Sequence, residues 1–161
     1  WLAAVRELSE GREVTRILLS PQGQRLDDRR VRALATAGDL LLMCGRYEGV
    51  DERVRELVVD AEISIGDYVL SGGEIPAMVL IEALSRQVPG VVGLSDSVEN
   101  DSFRQGRLDF PHYTRPREVE GLEVPEVLVS GDHAAIERWR RERALERTAK
   151  RRPDLLRDGG D

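Results

Sequence analysis

Leu42-Met43-Cys44-Gly45-Arg46-Tyr47-Glu48-Gly49-Val50-Asp51-Glu52-Arg53 and Ile63-Ser64-Ile65-Gly66-Asp67-Tyr68-Val69-Leu70-Ser71-Gly72-Gly73-Glu74 are the stretches that decide how this chain is read. Each runs from an apolar, strand-like segment into glycines, where main chain can approach a flat ligand that a Cβ would obstruct. Arg16-Ile17-Leu18-Leu19 has the same form, a short buried strand that enters the turn Ser20-Pro21-Gln22-Gly23. Glycine loops at 20–23, 44–49 and 66–73 thus all follow strand-like runs and can converge on one site.

Between these runs the apolar spacing is helical. Trp1, Val5 and Leu8 suit a short helix. Asp27 or Asp28 can cap a second, with Val31, Leu34 and Ala35 on its inner face and an end near Gly38. Leu40-Leu41-Leu42-Met43 is a further buried strand, and Val50, Val54, Leu57 and Val58 share one helical face. Ala77, Leu80, Ile81, Leu84 and Val88 repeat at helical spacing up to Val88-Pro89-Gly90. The start of that helix is open to two readings: Ser71 with Glu74 forms a capping box, whereas Pro76 prefers the first helical position. Strands that alternate with helices predict an α/β fold with a mainly parallel sheet, in which ligands collect at the carboxyl ends of the strands.

The 161 residues, 40% of them apolar and 4% aromatic, can fill an aliphatic core in one medium domain, with or without a small appendage. The one cysteine, Cys44, excludes a disulfide framework and a cysteine-based zinc site, and a buried thiol in a reducing, cytoplasmic compartment is its default reading. No apolar run approaches the length that spans a bilayer, so no membrane partner is expected. The net charge of -6 argues against a surface that attracts nucleic acid everywhere. Nine basic residues against four acidic between Glu137 and Arg157 concentrate positive charge at one end. An ordinary solvated helix, with pairs such as Glu142 with Arg138 and Glu146 with Arg143 or Lys150, accounts for this run equally well.

Residues from Leu94 to about Gly106 are polar and acidic, and the domain reading is 1–93 for the first domain, 94–115 for a flexible linker and 116–161 for a small C-terminal domain. In the last, Val124-Pro125-Glu126-Val127-Leu128-Val129 reads as a strand, followed by Ser130-Gly131-Asp132 and a basic helix with Ile136, Trp139 and Leu145. There is no dinucleotide fingerprint and no phosphate loop. His112 and His133 are far apart without neighbouring cysteines, so structural or helix-end roles outweigh metal binding, and no metal ligand is assigned. Around the glycines, Glu48, Asp51, Glu52 and Asp67 offer acceptors and Arg46 and Arg53 offer donors, a mixture suited to a purine cofactor that carries a positive centre. Tight turns at strand ends are the plainer explanation of the same glycines.

Cys44 to Arg53, Ser64 to Pro76, and Gly106-Arg107-Leu108-Asp109-Phe110-Pro111-His112-Tyr113-Thr114-Arg115-Pro116 together resemble the bacterial tRNA (guanine-N1-)-methyltransferase family, TrmD type, of the SPOUT class. The resemblance extends from about Ile17 to Leu156. It implies an α/β SPOUT fold with a deep trefoil knot plus a small, mainly helical C-terminal domain. It also implies S-adenosyl-L-methionine as cofactor, magnesium as an assisting ion, tRNA as partner, a homodimer, and methyl transfer to N1 of the guanine directly 3′ of the anticodon. Carried over by motif, Leu19, Pro21, Gly45, Ile65, Tyr68, Leu70, Gly72, Gly73 and Pro76 are expected to line the cofactor pocket. Glu48 is expected beside the cofactor or the target base. Asp101 and Arg86 match the family's catalytic aspartate and arginine, Asp101 as general base at N1 and Arg86 as the cation that stabilises charge on O6. The basic segment around Arg138 to Arg152 is then expected to meet tRNA phosphates.

The chain departs from the family at its start, where it begins at Trp1 and lacks the N-terminal part of the family domain. Two alternatives stay open on the sequence alone: a catalytically silent RNA- or nucleotide-binding module, and a SPOUT methyltransferase that acts on ribosomal RNA.

Overall fold

The computed structural model describes residues 1–91 and 101–157, which fall into two compact units, Trp1–Gly93 and Leu94–Asp161. The first unit has the order α1 (Leu2–Ser9), β1 (Val14–Arg25), α2 (Asp28–Ala35), β2 (Asp39–Cys44), α3 (Glu52–Val58), β3 (Ala61–Ser64) and α4 (Glu74–Ser85). Its sheet is parallel with β1 in the centre, order β2-β1-β3.

Alternation along the central strand builds the layers. Leu18 points to one face, where it meets Val5 of α1, Met43 of β2, and Val54 and Val58 of α3. Ile17 and Leu19 point to the other, where they pack with Ile63, with Ala77 and Leu80 of α4, and with the partly buried Leu34 of α2. A parallel sheet buried on both faces requires such continuous apolar strands. Arg16 ties the central strand to the residue that precedes β3: its backbone N–H and its guanidinium donate to the Asp60 carboxylate at 2.6–2.8 Å. This bond holds the Asp60 carboxyl below its usual range.

Asp27 is the cap of α2, its side chain accepting from the Arg30 N–H at 2.8 Å. The helical faces are narrower than the spacing predicts. Leu57 on α3, Ile81 on α4 and Val88 beyond it are exposed. Helix α4 follows Gly73 with no side-chain cap, so neither Ser71 nor a first-position Pro76 starts it. Pro76 instead stands at the third helical residue, where a missing N–H leaves no bond unmade, and Ala77 N–H makes the first, to the Gly73 carbonyl at 2.9 Å.

The largest departure is β1. It continues past the expected turn to Arg25, with a break in register: both Leu19 and Gln24 lie opposite Ile63. Residues 20–23 therefore leave the ladder as a bulge and rejoin it, and Leu26 N–H closes the strand on the Ser64 carbonyl at 2.8 Å. Gly23 makes this possible, because a Cβ there would overlap the main chain at Glu62 and Ile63.

The second unit holds a two-stranded hairpin, β4 (Glu118–Val119) and β5 (Leu122–Glu123), a 3-10 helix over Glu126–Val129, the long α5 (His133–Arg151), and a 3-10 turn over Pro153–Leu156. The expected strand over 124–129 is replaced by that 3-10 helix. Pro125 has no N–H to give a ladder, and its carbonyl accepts from Leu128 at 2.9 Å to begin the helical turn. Asp132 caps α5 through the Ala135 N–H at 3.0 Å. The buried line of α5 is Ala144 and Thr148, not Leu145, which is exposed. Residues 101–115, expected within a linker, are bound to this helix: Leu108 N–H donates to Thr148 Oγ1 at 2.9 Å, and Arg147 donates to the carbonyls of Asp109 and Phe110, both at 3.3 Å. The rest of the expected linker, 94–100, lies outside the described residues. Among the described residues no helix is long and apolar enough to cross a membrane.

Gly23→Ala should destabilise the chain by about 1–3 kcal/mol, the usual cost of forcing atoms into a packed position. Thermal unfolding followed by circular dichroism checks this, and an unchanged melting temperature would show that the bulge does not need the close approach.

Candidate functional site

Three parallel strands side by side deliver their following loops to the same end of the sheet. The bulge at 20–23, the loop after β2 and the segment between β3 and α4 meet there around a cleft of about 240 Å³. Leu19, Pro21, Gly45, Ile65, Tyr68, Leu70, Gly72, Gly73 and Pro76 all line it, as does Glu48.

Main-chain contact holds the loops together. Gly73 N–H donates to the Gly45 carbonyl at 3.0 Å, and Arg46 and Gly72 form an isolated antiparallel bridge. A Cβ on Gly73 would stand 2.7 Å from Cys44 Cα, so only glycine lets the start of α4 press against the end of β2. Arg46 Nε donates to Glu74 Oε1 at 2.7 Å and clasps the same two loops from outside. On the third side, Ser64 Oγ donates to the Gly66 carbonyl at 2.9 Å and Tyr68 Oη to the Ile65 carbonyl at 3.3 Å.

The lining is divided by chemistry. Leu19, Ile65, Leu70 and Pro76 supply apolar surface, and Glu48, Glu52 and Glu62 supply carboxylates. Of the cations lining the cleft, Arg46 is joined to Glu74, and Arg55 to Glu52 and, at 3.5 Å, to Glu62. Asp51, Arg53 and Asp67 do not line it, contrary to the sequence reading. Asp51 caps α3 and takes the Arg53 guanidinium at 2.6 Å, which pulls its carboxyl down to about 2. Ser20, Gln22 and Ser71 line it within the loops expected to converge, though none was singled out, whereas Arg55 and Glu62 lie outside those loops and were missed. Nothing local marks either: Glu62 is the second residue of β3 and Arg55 lies within α3, and both reach the cleft only through the folded sheet. Cys44 is outside the cleft lining, its thiol pushed up first by burial and then by Glu74. Tyr47, at the rim, is 98% exposed and has φ of 59°, a left-handed backbone that a tyrosine seldom adopts.

Arg86 is the C-cap of α4, exposed, in the first unit. Asp101 is half-buried in the second unit and lines a separate cavity there with Arg107, Asp109 and Arg141. Among the described residues no group of three or more His, Cys, Asp or Glu side chains forms a metal site.

The sequence signature of the family described as tRNA (Guanine-1)-methyltransferase TrmD matches residues 1–158. The chain belongs to that family. Three curated relatives, each named tRNA (guanine-N(1)-)-methyltransferase, give the scale of the likeness. The protein of Moorella thermoacetica is 57% identical over 156 residues, 95% of this chain and 62% of its own length. That of Chromohalobacter salexigens is 60% identical over 140 residues, 87% of this chain and 52% of its own. That of Desulforudis audaxviator is 61% identical over 142 residues, 88% and 57%. The chain thus spans about half to three-fifths of the length of these relatives.

The Glu74 carboxyl is held below its usual range by its own backbone N–H first and by Arg46 second. Arg46→Gln should therefore raise it part of the way back, as side-chain carboxyl shifts in an NMR titration would show. The clasp is present at neutral pH and is lost as pH falls through the depressed value, so the loop resonances of Gly45 and Gly72 should titrate with Glu74 in the unaltered chain. Loop shifts that ignore that titration would disconnect the pair from the loops.

Proposed function

We propose that this chain carries the methyl-donor site and the catalytic groups of an enzyme that methylates N1 of the guanine directly 3′ of the anticodon in tRNA. The observation that carries the reading is the single cleft shared by all nine residues expected to hold the donor. Its chemistry fits S-adenosyl-L-methionine: apolar side chains and main chain suit an adenine, and the Glu48 carboxylate, left over when Glu52 and Glu62 pair with Arg55, suits a cationic group. Bound there, the donor would supply an electrophilic methyl group on a sulfonium.

The chain's own residues have the remaining tasks. Guanine N1 carries a proton and is a poor nucleophile until it is removed, so a carboxylate is needed as general base. Asp101 takes that role. Negative charge then moves toward O6, where the planar guanidinium of Arg86 can donate directed hydrogen bonds. Glu48, in the loop that clasps Gly72, keeps a carboxylate at the cleft for the donor or the target base. Magnesium as an assisting ion has no built site among the described residues, and no step is assigned to it.

The finer architecture belongs to the same reading. A trefoil knot belongs to it through the family resemblance. A homodimer is supported by α4, which is apolar nearly all round yet leaves Ile75, Met78, Val79 and Ile81 exposed; a helix of that composition is normally covered. A small C-terminal domain that meets tRNA through its basic helix, and a cytoplasmic location, complete the proposal.

Transcripts of tRNA with G or A after the anticodon test it. Methyl transfer from labelled donor to the G transcript alone is the expected result. Donor binding without transfer would favour a silent module, and transfer to ribosomal RNA alone a different target. Asp101→Ala should lower turnover by about 10²–10⁴-fold with donor affinity nearly unchanged, since it removes proton transfer and no cleft contact. An undiminished rate would remove Asp101 from the chemistry.

A further inference from the structure

The second unit contains a groove that the proposed methyl transfer does not use. Residues 110–115 form one wall, Val124, Leu128 and Val129 provide an apolar floor, and Arg117 and Arg140 complete a space of about 420 Å³. Phe110 and His112 rings are 4.7 Å apart at 44°, and Arg140 lies over the Phe110 ring at 4.7 Å. Tyr113 tilts against Trp139 of α5 with centroids 6.3 Å apart. Phe110 is thereby occupied, whereas the Tyr113 residue is 47% exposed and the His112 side chain 66%. His112 is anchored from behind, its Nε2 2.6 Å from Asp109 Oδ2, so an exposed ring is held in one orientation.

The charges of this groove have one sign. Arg115, Arg117 and Arg140 line it and no carboxylate does, in a chain whose net charge is -6. Arg115 makes no hydrogen bond or ion pair among the described residues, and Arg117 reaches Glu126 only at 3.9 Å. Arg140 is tied to Glu137 at 2.8 Å, which leaves Arg115 and the loosely held Arg117 as the available cations. Open aromatic faces beside available guanidinium groups are what a single-stranded nucleic acid needs: a platform for a base and cations for its phosphate.

We propose that this groove holds one unstacked nucleotide of the RNA partner, its base on Tyr113 and His112 and its phosphate on Arg115 and Arg117. The inference takes from the proposed function only that the partner is RNA. The nucleotide held here is separate from the methylated guanine, and its site is built entirely by the second unit. Stacking and phosphate contact are both indifferent to base identity, so the groove contributes affinity and register without selecting a sequence.

Trp139 reports on the groove through its contact with Tyr113, and Trp1→Phe leaves it as the chain's one indole. Titration of that variant with single-stranded oligoadenylate RNA of about six nucleotides, enough to place one base in the groove with its flanking phosphates, should quench Trp139 saturably. Tyr113→Ala should weaken binding by about tenfold or more, and Tyr113→Phe, which keeps the ring, should restore it. Arg115→Ala should weaken binding and flatten the dependence of log affinity on log salt by about 0.7. Binding that leaves Trp139 unquenched, or that is indifferent to Tyr113→Ala, would overturn the proposal and leave only diffuse attraction to α5. A chain that binds the oligonucleotide as described but methylates no tRNA would sink the methyltransferase reading and spare the groove. One that methylates tRNA while Tyr113→Ala binds the oligonucleotide normally would do the reverse.

Discussion

Main chain packed directly on main chain is the constraint from which the rest of the first unit follows. The bulge after Leu19 can lie on β3 because Gly23 has no side chain, and the start of α4 can lie on β2 because Gly73 has none. Each contact brings a loop inward by about the width of a side chain, and together they narrow the end of a parallel sheet into a cleft. The hydrogen bond from Gly73 to Gly45 and the bridge between Arg46 and Gly72 close it. A larger residue at either glycine would push the loops apart, whatever the chemistry of the side chains around them.

That constraint explains the arrangement of charge. Cations near the cleft are already committed: Arg46 to Glu74, Arg53 to Asp51, Arg55 to Glu52 and Glu62. Exposed pairs of this kind add little stability. Their consequence here is positional, because they fix loops and leave Glu48 as an acceptor at the cleft. The groove of the second unit has the opposite character: no acidic side chain lines it, and of its three arginines only Arg140 is held closely by a carboxylate, that of Glu137 at 2.8 Å. On the functional reading the first surface suits a positively charged methyl donor and the second a polyanion, so a chain with net negative charge need not repel RNA where contact occurs.

Much of the first unit was legible in the sequence, because its signals are local. Alternation of apolar strands with helical spacing predicted the parallel sheet, the pair Asp27 and Asp28 marked the start of α2, of which Asp27 is the cap, and glycines after each strand marked the loops that meet. What was not legible depends on contacts distant in sequence. The continuation of β1 past Pro21 rests on Gln24 and Arg25 finding Ile63 and Ser64 of β3. Asp51 and Arg53 looked like ligand groups because nothing local revealed that each satisfies the other. Leu57 and Ile81 fit a helical face by spacing but fall outside the narrower stripe that α3 and α4 bury. In the second unit, Val127 to Val129 are β-formers by composition, yet Pro125 turns them into a 3-10 helix. The binding of residues 101–115 to α5 rests on Thr148 and Arg147, some forty residues away.

The central claim is that backbone from three separate turns encloses the methyl donor. Backbone amide NMR of the full chain, titrated with S-adenosyl-L-methionine, tests it most directly. The account predicts saturable shifts at the amides of Leu19, Gly45, Ile65, Gly72 and Gly73 with one common dissociation constant, while the groove residues Tyr113 and Arg115 stay unmoved. Shifts at only one of the three loops, or none at saturating donor, would contradict it.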